Sequence, residues 1–326
     1  MLIGLNKEQK EAAIFNMVYL KDNFAEIHHL DEPDFRVRCV ESEHFFGVEI
    51  TEFYLSESNA RVKNIPGYAT DLLKEEKYRH KVDRELLKVK DVTIKSTNGS
   101  ERQSKVILQK VPKPEDYVEK IARTIKRKNE RVKSYSRELS YVNLIIYDNE
   151  RGLFGVTAQS VYEYFFTEEM TTALISSNFR EIFLITMIER NRKVYIPLKM
   201  MFILSEIHLF TYIFDECYPE LEISSKEFLG YFAEYLYTKG IEGISFKGEN
   251  EEFEMIYGIY GILVSEESGI SIRNYDGNGL PKDCSLYVER SQDKLITRDF
   301  IKRAKEYFTD NTFVIELAKD IRTYSG

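Results

Sequence analysis

Residues 33–53 read PDFRVRCVESEHFFGVEITEF and hold two extended-type runs, Phe35 to Val40 and Phe45 to Phe53, joined by the polar segment Glu41 to His44. Period-two alternation along the second run puts Phe46, Val48 and Ile50 on one face and Gly47, Glu49 and Thr51 on the other. The first set is a core face. The second sets a carboxylate and a hydroxyl on the opposite side of a mostly apolar strand, beside the strand that begins at Asp34. Carboxylates held that close repel each other unless a cation lies between them, and oxygen donors suit magnesium or manganese.

The stretch resembles the heart of the PD-(D/E)XK nuclease superfamily, in which an Asp after a Pro and an acidic residue on the next strand bind a divalent metal. Pro33-Asp34 matches the first element and Glu49-Ile50-Thr51 the second, but Thr51 departs from the pattern, whose third position is a Lys. The resemblance covers about residues 1–150. It implies that Asp34 and Glu49 are metal ligands for Mg2+ or Mn2+. It also implies that the first helix supplies an acid, and that a following helix replaces the missing strand lysine.

Asn6 to Leu20 reads as that first helix, with Asn6 as N-cap and Ile14, Phe15 and Val18 on the buried face. Glu11 lies three and four residues before Ile14 and Phe15 and so shares nearly their side; it is the candidate acid, with Glu8 the alternate. His28 and His29 are adjacent on an extended segment and point to opposite sides, which suits a loop better than a chelating pair. Beyond Phe53 comes an insertion over 54–112: a polar stretch, a charged helical segment from Tyr68 to Lys90, and strands at Val92 to Ile94 and Lys105 to Val111 around Asn98-Gly99. The Lys105 to Val111 run is the expected third strand of the core.

Glu115 to Ser134 carries Val118, Ile121, Ala122, Ile125 and Val132 at helical spacing. At about 100° per residue Asn129 falls near the centre of that face, Lys128 about 60° away and Lys126 about 100° away. Lys128 therefore reaches inward best and is the expected substitute for the strand lysine. Tyr141 to Tyr147, YVNLIIY, is a mostly apolar strand. The order helix, strand, strand, strand, helix, strand agrees with the family's core.

Further on, the spacing predicts a helix from Ala158 to Ile175 and strands at Glu181 to Ile188 and Val194 to Ile196. An apolar helix runs to Phe214, a helix from Lys226 to Tyr237 is opened by the pair Ser224 and Glu227, strands cover Gly258 to Val264 and Gly269 to Ile272, and two helices follow Thr297. Asn274 to Gly279, NYDGNG, lacks the terminal Glu of a calcium loop and reads as a turn.

With 326 residues and a net charge of −8, the chain reads as globular, and it has the length for a substantial core. Cys39, Cys217 and Cys284 are widely spaced and odd in number, which gives neither a disulfide framework nor a zinc spacing and suits a reducing, cytoplasmic compartment. Met200 to Phe214 contains Glu206 and His208 and is too short to span a bilayer. Charge is unevenly spread: residues 61–137 hold 22 Lys or Arg against 11 Asp or Glu, and the remainder 24 against 43. A local +11 in an acidic protein suits a phosphate backbone. Lys120, Arg123, Arg127 and Arg131 are the candidate nucleic-acid contacts.

The expected fold is thus α/β, a mixed sheet flanked by helices with a restriction-endonuclease-like core, over 1–197, followed by an acidic α+β accessory region over 198–326. The expected activity is metal-dependent phosphodiester hydrolysis with Asp34, Glu49, Lys128 and Glu11 as catalytic candidates, acting on nucleic acid with DNA ahead of RNA. The superfamily includes restriction and anti-phage enzymes, so the resemblance implies a defence setting. A catalytically silent nucleic-acid-binding module, which the absent strand lysine suggests, and a protein-interaction protein, which the acidic second half suggests, are the alternatives.

Overall fold

The computed structural model describes residues 4–40, 43–109, 113–135, 138–157, 161–248, 253–265, 269–275, 294–310 and 319–320. Helix α1 (Lys7–Val18) is closed by a capping box: Asn6 Oδ1 accepts from the Gln9 amide at 2.8 Å, and Gln9 Oε1 accepts from the Asn6 amide at 3.1 Å. Three antiparallel strands follow, β1 (Phe24–His29), β2 (Phe35–Cys39) and β3 (Phe45–Phe53), with His29 opposite Phe35 and Phe35 opposite Val48.

Between β3 and the next core element lies the insertion: α2 (Glu57–Asn64), α3 (Tyr68–Glu75), α4 (Lys81–Leu86) and the hairpin β4 (Leu87–Lys95) and β5 (Glu101–Gln109). It has a small core of its own, Tyr68, Leu72 and Leu87. Asp83 is buried there and accepts from Ser58 Oγ and Arg61 Nη2, each at 2.6 Å, and from the Tyr68 hydroxyl at 2.6 Å. These donors hold its carboxyl down at about 2 against the opposing effect of burial.

The chain re-enters the main body with α5 (Pro114–Val132) and β6 (Leu139–Asp148), which pairs parallel to β3. After α6 (Val161–Phe165) and α7 (Glu168–Ile175), β7 (Ile182–Met187) runs parallel to β6, and β8 (Lys193–Pro197) turns back antiparallel. Next come α8 (Leu198–Cys217), α9 (Ser225–Thr238), the short sheet strands β9 (Ser245–Lys247), β10 (Glu254–Tyr257), β11 (Tyr260–Ser265) and β12 (Gly269–Asn274), then α10 (Arg298–Asp310) and β13 (Lys319–Asp320). The main sheet has the order β1-β2-β3-β6-β7-β8-β13, the second β12-β11-β10-β9. The architecture is α/β: a mixed sheet flanked by helices.

The two faces of β3 meet different helices. Phe46 packs against Tyr19, just beyond α1, at 6.0 Å between ring centroids, whereas Phe53 meets Tyr117 of α5 edge-on at 5.3 Å. Gly47 is obligatory for space: a Cβ there would come within 2.8 Å of the Pro33 ring and 3.0 Å of Leu139. The proline preceding Asp34 is thereby seated directly on β3.

One hydrophobic cluster runs from Ile14 to Ala304 and takes in α8, α9 and the β10–β11 hairpin, so the expected boundary at 197 is crossed by a continuous core. Glu181 ties the join: its carboxylate accepts from the Lys199 amide at 2.8 Å and the Met200 amide at 3.2 Å, at the N-terminus of α8. The Lys199 ammonium turns back to the carbonyls of Ser177, at 2.9 Å, and Phe179. Burial drives both groups toward their neutral forms. The β10–β11 turn reaches the same region: a Cβ added at Gly258, whose φ is +61°, would come within 2.8 Å of the Arg180 carbonyl oxygen.

Several sequence expectations are corrected. The third strand of the core meander is Phe24–His29, not Lys105 to Val111; the latter run, over its described residues, spends its hydrogen bonds on β4 in a separate two-stranded sheet. His28 and His29 accordingly sit on a strand, at the sheet edge, where weak burial blurs the alternation. The helix expected from Ala158 to Ile175 is two helices, because Thr167 caps α7 by accepting from the Met170 amide at 3.2 Å; residues 158–160 lie outside the described residues. Of the second C-terminal helix, Lys319–Asp320 is instead a strand on β8, and the flanking positions lie outside the described residues. So do Asp276 to Gly279 of the NYDGNG turn, and Cys284; Cys39 and Cys217 form no disulfide among the described residues. No helix among the described residues is long and apolar enough to cross a membrane.

Candidate functional site

The β2–β3 register decides the site. Phe35 pairs with Val48 and Arg36 with Gly47, so the next step places Asp34 opposite Glu49, and residues opposite one another share a face. Asp34 is fixed there by its own chain: Oδ2 accepts from the Ile50 amide at 2.6 Å. Both carboxylates are only 5 % exposed. They lie on the face turned to α5, and from that helix Lys128 Nζ donates to Glu49 Oε1 at 2.6 Å. Thr51 is buried next along β3, at the position where the resembling pattern has its lysine.

The electrostatics of the pair are asymmetric. Asp34 is pushed up to about 7, first by burial and then by Glu49, with Glu11 adding to the rise; the Ile50 amide and Lys128 oppose it. Glu49 carries the lysine on one oxygen, while its Oε2 is buried without a well-formed hydrogen bond. Tyr135, just past the end of α5, presents its buried hydroxyl to the same place. Burial pushes its ionisation above the usual phenol range and Glu49, Asp34 and Glu32 add to the rise, although the hydroxyl and Oε2 do not meet in hydrogen-bond geometry.

Glu11 stands apart from this contact. It is buried on α1, on the other side of the sheet, and its carboxylate is taken by His29 Nε2 at 2.8 Å and Lys7 at 3.6 Å. It acts on Asp34 through the field alone. Glu8 is exposed.

The four candidate backbone contacts divide. Lys120 donates to the Leu55 carbonyl, which pins α5 to the end of β3. Arg123 pairs with Glu119 and stands 3.9 Å from Glu169. Arg127 and Arg131 are exposed and have no ion pair among the described residues. Asn129, central to the apolar face, bonds the loop before β7: its Oδ1 accepts from the Asn178 amide at 2.7 Å.

Two neighbours escaped the sequence reading. Arg36 lies two residues from Asp34 and therefore on the same face of β2; its guanidinium lies 3.9 Å from the Phe45 ring centroid and 3.1 Å from Glu138, with Nε buried and unpaired. The alternation that places Glu49 contains this signal. Tyr135 had no such signal, since its position depends on how the chain leaves α5.

Among the described residues no group of three or more His, Cys, Asp or Glu side chains is arranged to hold a metal ion. The donor set is the pair Asp34 and Glu49, two hard oxygens with one orphaned and the two repelling. That fits a cation such as magnesium, which takes one or two carboxylates and completes its shell with water and substrate oxygens. It does not fit zinc, which favours a nitrogen or sulfur set. Comparison of the chain with protein-family models, characterised proteins and solved structures finds no match.

Proposed function

We propose that the chain is a metal-dependent nuclease of PD-(D/E)XK type, hydrolysing phosphodiester bonds with Asp34 and Glu49 as ligands for magnesium or manganese. The observation that carries the reading is the convergence of three elements: Asp34 opposite Glu49 across β2 and β3, with Lys128 of α5 on the same carboxylate. A bound divalent cation would polarise the phosphate and lower the pKa of a water. Asp34 and Glu49 would hold it, both in their ionised forms. Lys128 would offset negative charge building on the phosphate oxygens. Arg36, on the same face, provides a second cation for a phosphate at the sheet surface.

The test is cleavage of single- and double-stranded DNA and RNA with magnesium or manganese. Asp34→Ala and Glu49→Ala should each abolish cleavage, chelator should do the same to the unaltered chain, and the double variant should lose no more than either single one. Cleavage surviving in the double variant would remove these residues from the active site. A second reading, a catalytically silent nucleic-acid-binding module, is favoured by one specific observation: Lys128 neutralises Glu49 in place and Thr51 supplies no strand lysine. Salt-sensitive binding without cleavage under any metal condition would select it.

A further inference from the structure

The carboxylate site leaves the β4–β5 hairpin without a role. Its register runs unbroken from Leu87 opposite Gln109 to Lys95 opposite Glu101, so opposite residues share a face along nine-residue strands. The back face is accounted for. Leu87, Val89 and Ile107 pack on the insertion's small core, Lys95 pairs with Glu101 at 2.8 Å, and Lys105 with Glu76 at 3.1 Å.

The front face is different. It presents Lys88, Lys90 and Arg102, all exposed, with no acidic residue on that face and no ion pair for any of the three among the described residues. Directly across from Arg102 stands Ile94, and across from Lys88 stands Leu108, 52 % and 44 % exposed. Solubility alone would not segregate paired cations on one side and unpaired ones on the other. Two such faces brought together in a dimer would set like charge against like charge, which argues against a second copy as the occupant.

We propose that this front face docks in the major groove of duplex DNA, an inference that rests on the nucleic-acid substrate argued above. A two-stranded ribbon fits the B-form major groove, about 12 Å wide, whereas the A-form major groove of duplex RNA is too narrow for side chains to read. Lys88 and Lys90 lie on one strand of the ribbon and Arg102, opposite Ile94, on the other. Six residues separate Lys88 from Ile94, which is about 20 Å along the ribbon, enough for the cations to meet phosphates on both rims of the groove. Ile94 and Leu108 are then aimed at base edges, where thymine methyl groups offer apolar contact.

The experiment is fluorescence anisotropy of the full chain in chelator, so that nothing is cleaved, against a labelled DNA duplex and an RNA duplex of the same sequence across a salt series. The triple variant Lys88→Ala, Lys90→Ala, Arg102→Ala should bind DNA more weakly and lower the slope of log K against log salt by about 2.7, at about 0.9 per phosphate contact. Lys95→Ala, on the back face, should leave the slope unchanged, and thermal melts should match because every altered side chain is exposed. An unchanged slope in the triple variant, an equal preference for RNA duplex, or no duplex binding by the unaltered chain would overturn the proposal. The metal site is read separately, by cleavage of a single-stranded substrate. Cleavage with an unchanged duplex slope sinks the arm alone, and a reduced slope without cleavage in any metal supports the arm while sinking the nuclease reading.

Discussion

Asp34→Asn, in chelator, should stabilise the protein progressively as pH rises from 4 to 7. Asp34 has its carboxyl at about 7 when folded against 3.8 in a model peptide. A carboxyl raised on folding contributes its stabilisation in full while protonated, below 3.8, and loses it as pH climbs through about 7. The gap of about 3 pH units, at about 1.4 kcal/mol each, gives a ceiling of about 4 kcal/mol for the ionisation penalty of the metal-free chain. Water reaching the pocket on ionisation lowers that ceiling. The amide variant keeps an oxygen for the Ile50 amide and carries no charge, so it escapes the penalty. Urea denaturation at a series of pH values measures the difference in unfolding free energy between the two proteins, which should widen from pH 4 to pH 7 and then level off. Added magnesium should stabilise the unaltered chain by mass action and the variant far less. Two stability curves that stay parallel across this range would refute the assigned burial of Asp34 beside Glu49.

Lys128→Ala leaves Glu49 uncompensated beside Asp34, so the metal-free chain should lose about 3 to 5 kcal/mol at neutral pH, measured by denaturation, and single-turnover cleavage should slow. Tyr135→Phe should shift stability by less than about 1 kcal/mol, because its hydroxyl closes no well-formed hydrogen bond; a loss of about 2 kcal/mol or more would show that it bonds to the Glu49 charge. Glu181→Ala removes the acceptor of the buried α8 amides, and should lower stability by about 1 to 3 kcal/mol in a thermal or urea transition. Asp83→Ala unpairs Arg61 and frees Ser58 and Tyr68, so limited proteolysis should cut within residues 57–109 first while the remainder of the chain stays protected.

The carboxylate pair was legible because a half-buried strand writes its faces into every second residue, and Lys128 because α5 repeats its apolar positions at helical spacing. Both signals are local. What failed depends on which strands meet. Nothing in FAEIHH marks it as a partner for β2, since an edge strand with partial burial alternates weakly, and so the sequence pattern points to Lys105 to Val111 instead. Lys120 looks like any exposed cation of a basic helix until the Leu55 carbonyl is found beneath it. The continuity of the core past residue 197 has the same origin: Glu181 and the amides of Lys199 and Met200 are brought together by a turn of chain whose periodicity says nothing about hydrogen bonds.

The placement of the insertion between β3 and α5 also sets an order of events in folding. The meander β1-β2-β3 is joined by short links, so Asp34 and Glu49 are brought side by side early and at low entropic cost. Their neutralising partner is not yet there: Lys128 arrives only when α5 docks, after residues 54–113 have been traversed, and β6 must then find β3 across that same span. The nascent sheet thus passes through a stage in which two acids face each other unrelieved. Long-range parallel pairing is intrinsically slow, and here charge adds to the barrier. Refolding should therefore run faster at mildly acidic pH, where Asp34 keeps its proton, or with a divalent cation present from the start, than in chelator at alkaline pH.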